Sequence, residues 1–201
     1  RARLRPMDES DIPPVADIER DSFPSAWPQT AYKRELQNSA ARYLVITEMR
    51  DDAPEQPRTG VWSALRRIAG TGGMEAPADE RVLGFIGIWL MVGEAHIVTV
   101  AVRDDCRRMG IGERLLIACI EMALEYDQEV VTLEVRRSNE AAQRLYEKYG
   151  FDHAGVRVRY YSDNHEDAVI MTTPEIASSG YRTRFAELKA RHQARCPDLW
   201  D

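Results

Sequence analysis

Residues 98–116 carry the side chains and glycines best suited to holding a ligand. An apolar run ends in Val100-Ala101-Val102, a short polar turn follows, and Arg107-Arg108-Met109-Gly110-Ile111-Gly112 leads straight into a helical pattern that opens with Glu113. Backbone N–H groups at a helix start have no intrahelical acceptor and carry partial positive charge, so they suit phosphate oxygens. Gly110 and Gly112 have no side chain to keep a pyrophosphate away from the backbone. Arg107 and Arg108 add formal positive charge at the same place. A tight turn before a helix would explain the same residues without any ligand. No Gly-Lys-Ser/Thr follows, so this is not a P-loop, and Leu115 stands where a dinucleotide fingerprint needs its third glycine. The other usual chemistry-bearing types are scattered. The four histidines have no metal-ligand spacing, and Cys106, Cys119 and Cys196 form no CxxC pair. Cys106 has no histidine partner and reads as a bystander to catalysis, and Cys119 as a helix core residue.

These residues need elements to position them. Asp11, followed by Pro13 and Pro14, reads as the capping acid of a first helix with Ile12, Val15 and Ile18 on one face. A second helix is expected over 29–37. Strands are expected over 42–48, 82–92, 96–102, 130–135, 151–161 and 168–172. Glycines at 84 and 87 imply close backbone approach, and Gly93 turns one strand into the next. Helices are expected over 112–129 and from an Asn139 cap to Tyr149, with Gly150 closing the latter. The order α-α-β-β-β-α-β-α-β-β implies an α/β layer fold around one central sheet.

Two regions fall outside that rhythm. Residues 51–81 are rich in Gly, Pro and Ala and longer than the ~12–15 residues usual for a loop in a compact domain. They read as disorder, a lid or a binding loop, with Val61, Leu65 and Ile68 able to share a helical face. Residues 174–201 read as a helical extension with Phe185, Leu188 and His192 on one side. The expected division is therefore 1–173, including the insertion, and 174–201.

Composition narrows the class. The 201 residues are 44% hydrophobic and 30% charged, a globular profile. A net charge of −6 argues against a general nucleic-acid binder. No apolar run approaches the ~18 residues of a membrane span. The cysteine pattern and the absence of an apolar signal core fit a cytoplasmic protein, expected as a monomer or weak dimer, with no metal site.

Arg107-x-x-Gly110-x-Gly112 resembles the phosphate-loop signature of the GNAT N-acetyltransferase superfamily, and the element order resembles the GNAT fold. Further strings resemble the RimI-type branch, which acetylates the N-terminal alanine of a small-subunit ribosomal protein. They are Leu133-Glu134-Val135-Arg136, Ser138-Asn139-x-x-Ala142, Leu145-Tyr146-x-x-Tyr149-Gly150-Phe151, Tyr160-Tyr161 and Glu166-Asp167-Ala168-x-x-Met171. Phe23-Pro24 with Trp27 resembles that branch's first inter-helix loop. The insertion and the tail depart from the common pattern.

The resemblance implies a GNAT fold with a single mixed, mostly antiparallel sheet. It implies acetyl-CoA as cosubstrate, held by Val100, Ala101, Val102, Arg107, Arg108, Met109, Gly110, Ile111, Gly112, Glu113 and Asn139, with the sheet splayed at 100–102. Glu134, near the C-terminal end of a strand where open α/β sheets place their sites, would be the general base, directly or through water. A carboxylate's ordinary pKa of ~4.3 requires either burial or a relay for that role. Tyr146, protonated at neutral pH, would be the general acid, although it also fits as a core aromatic. Phe23, Trp27, Tyr160 and Tyr161 would wall the acceptor channel. At pH 7 about 10–17% of an α-amine is neutral but only about 0.04% of a lysine. A modest base therefore favours a protein N-terminus, here that of a ribosomal protein. A lysine or small-amine acceptor, or a non-catalytic acetyl-CoA sensor, are the competing functions.

Overall fold

The computed structural model describes residues 1–24, 28–49 and 80–200. Trp27 and residues 51–79 of the expected insertion, including Val61, Leu65 and Ile68, lie outside the described residues. In chain order the elements are β1 (Ala2–Pro6), α1 (Ile12–Ser22), α2 (Gln29–Gln37), β2 (Ala41–Met49), β3 (Glu80–Met91) and β4 (Glu94–Val102). They continue with α3 (Ile111–Glu125), β5 (Val130–Arg136), α4 (Glu140–Lys148), β6 (Asp152–Arg157), β7 (Ala168–Thr172) and α5 (Ser179–Arg195). The strands form one seven-stranded sheet in the order β1-β2-β3-β4-β5-β7-β6. Every neighbouring pair is antiparallel except β4 and β5.

The middle strands are apolar on both faces because helices cover both. Tyr43 and Val45 of β2 and Phe85 of β3 pack with Ile12, Val15 and Ile18 of α1 and Tyr32 of α2. Leu44, Ile46 and Ile86 face the other way, onto Leu115, Leu116 and Cys119 of α3. This alternation follows from the two-residue period of a strand. Gly87 shows the tightness of the first layer: a Cβ there would lie 2.4 Å from the Tyr43 ring.

The site depends on one irregularity in this sheet. Gly87 pairs with Thr99 and Ile88 with Ile97, so Val98 is an extra residue that bulges β4. On its other side β4 pairs with β5 only from Glu94–Val130 to Ile97–Leu133. Beyond that point Glu134, Val135 and Arg136 pair only with β7. Residues 98–102 thus keep β3 on one side and have no strand on the other.

Five expectations about local structure need correction. The opening Arg-rich segment is a strand, β1; short, charged strands are typical of sheet edges, and its alternation is too brief to stand out from a loop. Asp11 occupies the N-cap position of α1 without capping it. Its carboxylate instead accepts from the Asp8 amide and from both terminal nitrogens of Arg5. Helix α3 stops at Glu125, where Asp127 turns into the left-handed region at φ 52° and Gln128 N–H closes back on Ala123 O. Strand β6 ends at Arg157 and not Tyr161, because Arg159 has φ 53° and its amide donates to Asp167. Glu80 and Arg81, counted with the insertion, belong to β3. The turns at Gly93 and Gly150 match expectation, with φ of 76° and 85°.

Helix α5 joins the main core. Tyr181, Phe185 and Leu188 are buried in the same cluster as α3, and the Tyr181 hydroxyl donates to Tyr149 O at 2.9 Å. His192 is fully buried. Trp200 Nε1–H donates to its Nδ1 at 3.1 Å, which leaves Nε2–H to donate to Gly110 O at 2.9 Å. Both nitrogens of a neutral imidazole are thereby satisfied. Among the described residues no helix is long and apolar enough to cross a membrane.

Two stability predictions follow from this packing. Gly87→Ala forces the Tyr43 ring or the strand to move, an overpacking cost of about 1–3 kcal/mol. Thermal unfolding should show a midpoint lower by about 3–10 °C, and an unchanged midpoint would contradict the contact. Burial lowers the His192 pKa from its ordinary 6.5 against the opposing pull of Gly110 O and Glu113, with Arg195 and Arg114 also nearby. Below pH 6.5 the unfolded chain takes up a proton that the folded chain refuses, so stability falls toward the depressed folded value. Each pH unit in that window removes up to about 1.4 kcal/mol. His192→Gln, which can satisfy both partners without titrating, should flatten the fall in unfolding midpoint between pH 7 and 5. Equal slopes in the two proteins would sink the assignment.

Candidate active site

The loop before α3 is shaped by its backbone. Arg108 and Gly110 both adopt positive φ, 63° and 87°, and Gly110 is the N-cap of α3 with no side-chain cap. The first intrahelical bond runs from Arg114 N–H to Gly110 O. The amides of Ile111, Gly112 and Glu113 precede that bond and are available to an anion. They edge a cavity of about 640 Å³ lined also by Val102, Arg107, Arg108, Met109, Leu145 and Arg195. Arg107 is tied to Asp104 at 2.6 Å and remains exposed.

The two glycines have different reasons. A Cβ on Gly112 would meet only Val102 Cγ2 at 3.7 Å, which leaves room for a ligand against the backbone. A Cβ on Gly110 would lie 2.7 Å from Cys196 Sγ and 3.0 Å from His192 Nε2. At Gly110 the space read as room for pyrophosphate is filled by the chain's own C-terminal segment. The Glu113 carboxylate is also engaged internally, by Lys148, the Tyr149 hydroxyl and Arg195. Burial alone would raise its pKa, but these three donors hold it below the usual carboxylate value. Glu113 therefore offers a ligand its amide and not its side chain.

A second cavity, about 440 Å³, opens on the opposite end of the loosened strand. Its lining includes Phe23, Val98, Thr99, Val100, Glu134, Asn139, Tyr146, Tyr160 and Tyr161. Residues 98–100 face this cleft and Val102 faces the phosphate-loop cavity, so the unpaired edge of β4 joins the two. Ala101 is buried against the α1 layer. Helix α4 spans the same gap, with Leu145 on one cavity and Tyr146 on the other.

Glu134 is mostly buried and held at both oxygens. Arg157 Nε–H donates to Oε1 at 2.8 Å, and His96 Nε2 lies 3.0 Å from Oε2. His96 Nδ1 is 2.8 Å from Thr132 Oγ1, which in turn contacts Glu94. Burial pushes the Tyr146 hydroxyl pKa up, reinforced by Tyr161 and Cys119, so it keeps its proton. Among the described residues that hydroxyl has no hydrogen-bond partner. The Tyr146 side chain packs on Phe151 in the core while its residue lines the cleft, so it fills both of its expected places. Thr99 Oγ1 is likewise buried and unpartnered in the same cleft. Asn139 caps α4 through Ala142 N–H at 3.2 Å. Its carbonyl is committed there, while its amide NH₂ remains beside the cleft.

The outer wall is braced by Arg136. Its guanidinium stacks 3.8 Å from the Tyr161 ring centre and bonds Asp163 at 2.8 Å and Glu166 at 3.3 Å. Glu166 also accepts from Ser138 N–H, and these donors hold its pKa at about 2. Tyr160 and Tyr161 meet edge to face at 5.3 Å. The structure thus sets the expected site residues along the two cavities, except Ala101, which is buried on the α1 side, and Trp27, which lies outside the described residues. It adds His96, Thr99, Arg157 and Arg195. Sequence offered little signal for these, since a histidine and a threonine on a strand, or an arginine on a hairpin or tail, have no motif spacing. Burial pushes the Cys106 thiol pKa up, consistent with a bystander.

Comparison with known proteins fits this geometry. The model of the acetyltransferase (GNAT) family matches residues 12–151. A Bacillus subtilis (strain 168) protein provisionally named a ribosomal protein bS18-alanine N-acetyltransferase is 34% identical over 172 residues, covering 85% of this chain and 94% of its own. A Salmonella typhimurium protein named ribosomal protein bS18-alanine N-acetyltransferase is 38% identical over 103 residues, 50% of this chain and 70% of its own. The crystal structure of the ribosomal-protein-S18-alanine N-acetyltransferase from Escherichia coli superposes with a TM-score of 0.67 at 25% identity, covering 89% of this chain and 97% of that one. The chain belongs to the GNAT family of acetyl-CoA-dependent N-acetyltransferases.

Proposed function

We propose that this protein transfers an acetyl group from acetyl-CoA to the α-amine of a protein N-terminus, with a ribosomal protein's N-terminal alanine as the favoured acceptor. The observation that carries the reading is the placement of Glu134 and the unpartnered Tyr146 hydroxyl in one cleft, joined by the open edge of β4 to a helix start with three free amides. The identity of the acceptor rests on the names of the relatives.

The residues present fit acetyl-CoA. The amides of 111–113 and the exposed Arg107 and Arg108 suit its phosphates. The unpaired strand edge suits a chain that carries amides, such as the pantetheine arm, and Asn139 stands beside that path. When bound, acetyl-CoA supplies a thioester carbonyl to the attacking amine. A β4 amide at the parted edge would stabilise the negative charge that develops on the carbonyl oxygen. Glu134 accepts the proton that the amine loses as the C–N bond forms, and Tyr146 returns a proton to sulfur as the C–S bond breaks.

The contacts of Glu134 support the relay its role requires. Glu134–His96, His96–Thr132 and Thr132–Glu94 are three close contacts in a row. They lead from the cleft to Glu94, which lies nearer solvent, and offer a proton accepted at Glu134 a hydrogen-bonded way out. Phe23, Tyr160 and Tyr161 wall the acceptor channel.

Turnover of acetyl-CoA with a panel of Ala-, Ser- and Met-starting peptides, an internal-lysine peptide and a polyamine tests the acceptor. The N-terminal peptides should be acetylated, with alanine preferred; activity confined to lysine or polyamine would overturn the reading. Glu134→Gln should lower kcat by about 100-fold or more while the acetyl-CoA Kd stays within about twofold. A collapse of cofactor affinity would instead make Glu134 a structural residue.

A further inference from the structure

The tail beyond β7 lies outside residues 12–151, the span matched by the family model. It nevertheless reaches the phosphate-loop cavity. His192 and Cys196 fill the space beside Gly110, and Arg195 lines the cavity itself. One terminal nitrogen of Arg195 bonds Glu113, and just over half of the side chain is exposed. A guanidinium has five N–H donors in a planar fork, so engagement by Glu113 and Cys196 leaves others for a ligand in the cavity that Arg195 lines. The Glu113 carboxylate sits in the first turn of α3, where its charge would repel a bound phosphate. Arg195 faces that carboxylate from the far end of the chain.

From this arrangement we infer that the C-terminal segment is a wall of the cofactor site and that Arg195 contacts a phosphate of acetyl-CoA. The inference rests on the acetyltransferase reading and extends it to a residue beyond the span that the family model matches. Arg195 then has two roles: it offsets Glu113 beside the helix start, and its free donors add to those of the loop. The tail also fixes the loop, because the His192 hydrogen bond and Cys196 packing act on Gly110, the residue whose positive φ aims the amides.

Calorimetric titration of the full chain with acetyl-CoA at two salt concentrations tests this. Arg195→Ala should raise the Kd about 5- to 30-fold and reduce its salt dependence. Arg195→Lys, which keeps the charge but loses the fork, should recover part of the loss. Arg191→Ala, on the same helix and paired among the described residues with Glu187, should bind as the unaltered protein does. The same loss should appear when Arg195→Ala is made in a Glu113→Gln background; if it vanishes there, Arg195 serves only Glu113 and the proposal fails. Repeating the titration with acetyl-CoA lacking the ribose 3′-phosphate locates the contact. A persisting loss assigns it to the pyrophosphate and a vanished one to the 3′-phosphate, and both support the proposal. A Kd within twofold of the unaltered protein for Arg195→Ala would overturn it. Failure of the unaltered chain to bind acetyl-CoA would contradict the acetyltransferase reading as well.

Discussion

The parting of β4 from β5 after Ile97 and Leu133 is the constraint on which the site depends. Parallel neighbours normally stay paired, since an unpaired buried strand edge leaves backbone groups without partners. Here the Val98 bulge interrupts the β4 ladder, and beyond Leu133 β5 keeps only β7, on its other edge. The result is a strand edge with free hydrogen-bonding groups running between two cavities. One side of that gap carries Glu134 and the other is closed by α4, which presents Tyr146. A ligand that pairs with the edge replaces bonds the sheet gave up, so the cost of the gap is recovered on binding.

The surrounding structure keeps the gap from closing or spreading. Helices α1 and α2 fix one face of β3 and β4, and α3 fixes the other. Arg136 and Glu166 lock the β6–β7 connection so that the tyrosines stay over the cleft. At the opposite end His192, Cys196 and Trp200 press on the phosphate loop and the start of α3. An element that reads as an appendage in the sequence is therefore continuous with the core that shapes the site.

Much of this is legible in the sequence, for physical reasons. Arg107 to Gly112 stand out because a helix start with glycines and cations is a specific chemical arrangement. The helix over 29–37, a C-terminal helix over 181–195 and the hairpin around Gly93 follow from periodicity and turn chemistry. The misses share a cause, which is that they depend on partners distant in sequence. Strand β1 is too short and charged to signal itself without β2. The end of β6 is set by the bond from Arg159 to Asp167. His96 and Thr132 meet only when two strands lie side by side, and the space beside Gly110 is taken by a cysteine at the far end of the chain. Composition and spacing do not encode such pairings.

The most direct test is amide hydrogen–deuterium exchange with and without acetyl-CoA. Amides of residues 99–102 that point away from β3, together with those of 111–113, should gain protection on binding, because these backbone groups lack strand or helix partners. The β2–β3 ladder should change little. Acetyl-CoA binding that leaves the β4 amides unprotected, with protection arising elsewhere, would contradict the claim that the parted edge is where the acetyl group is delivered.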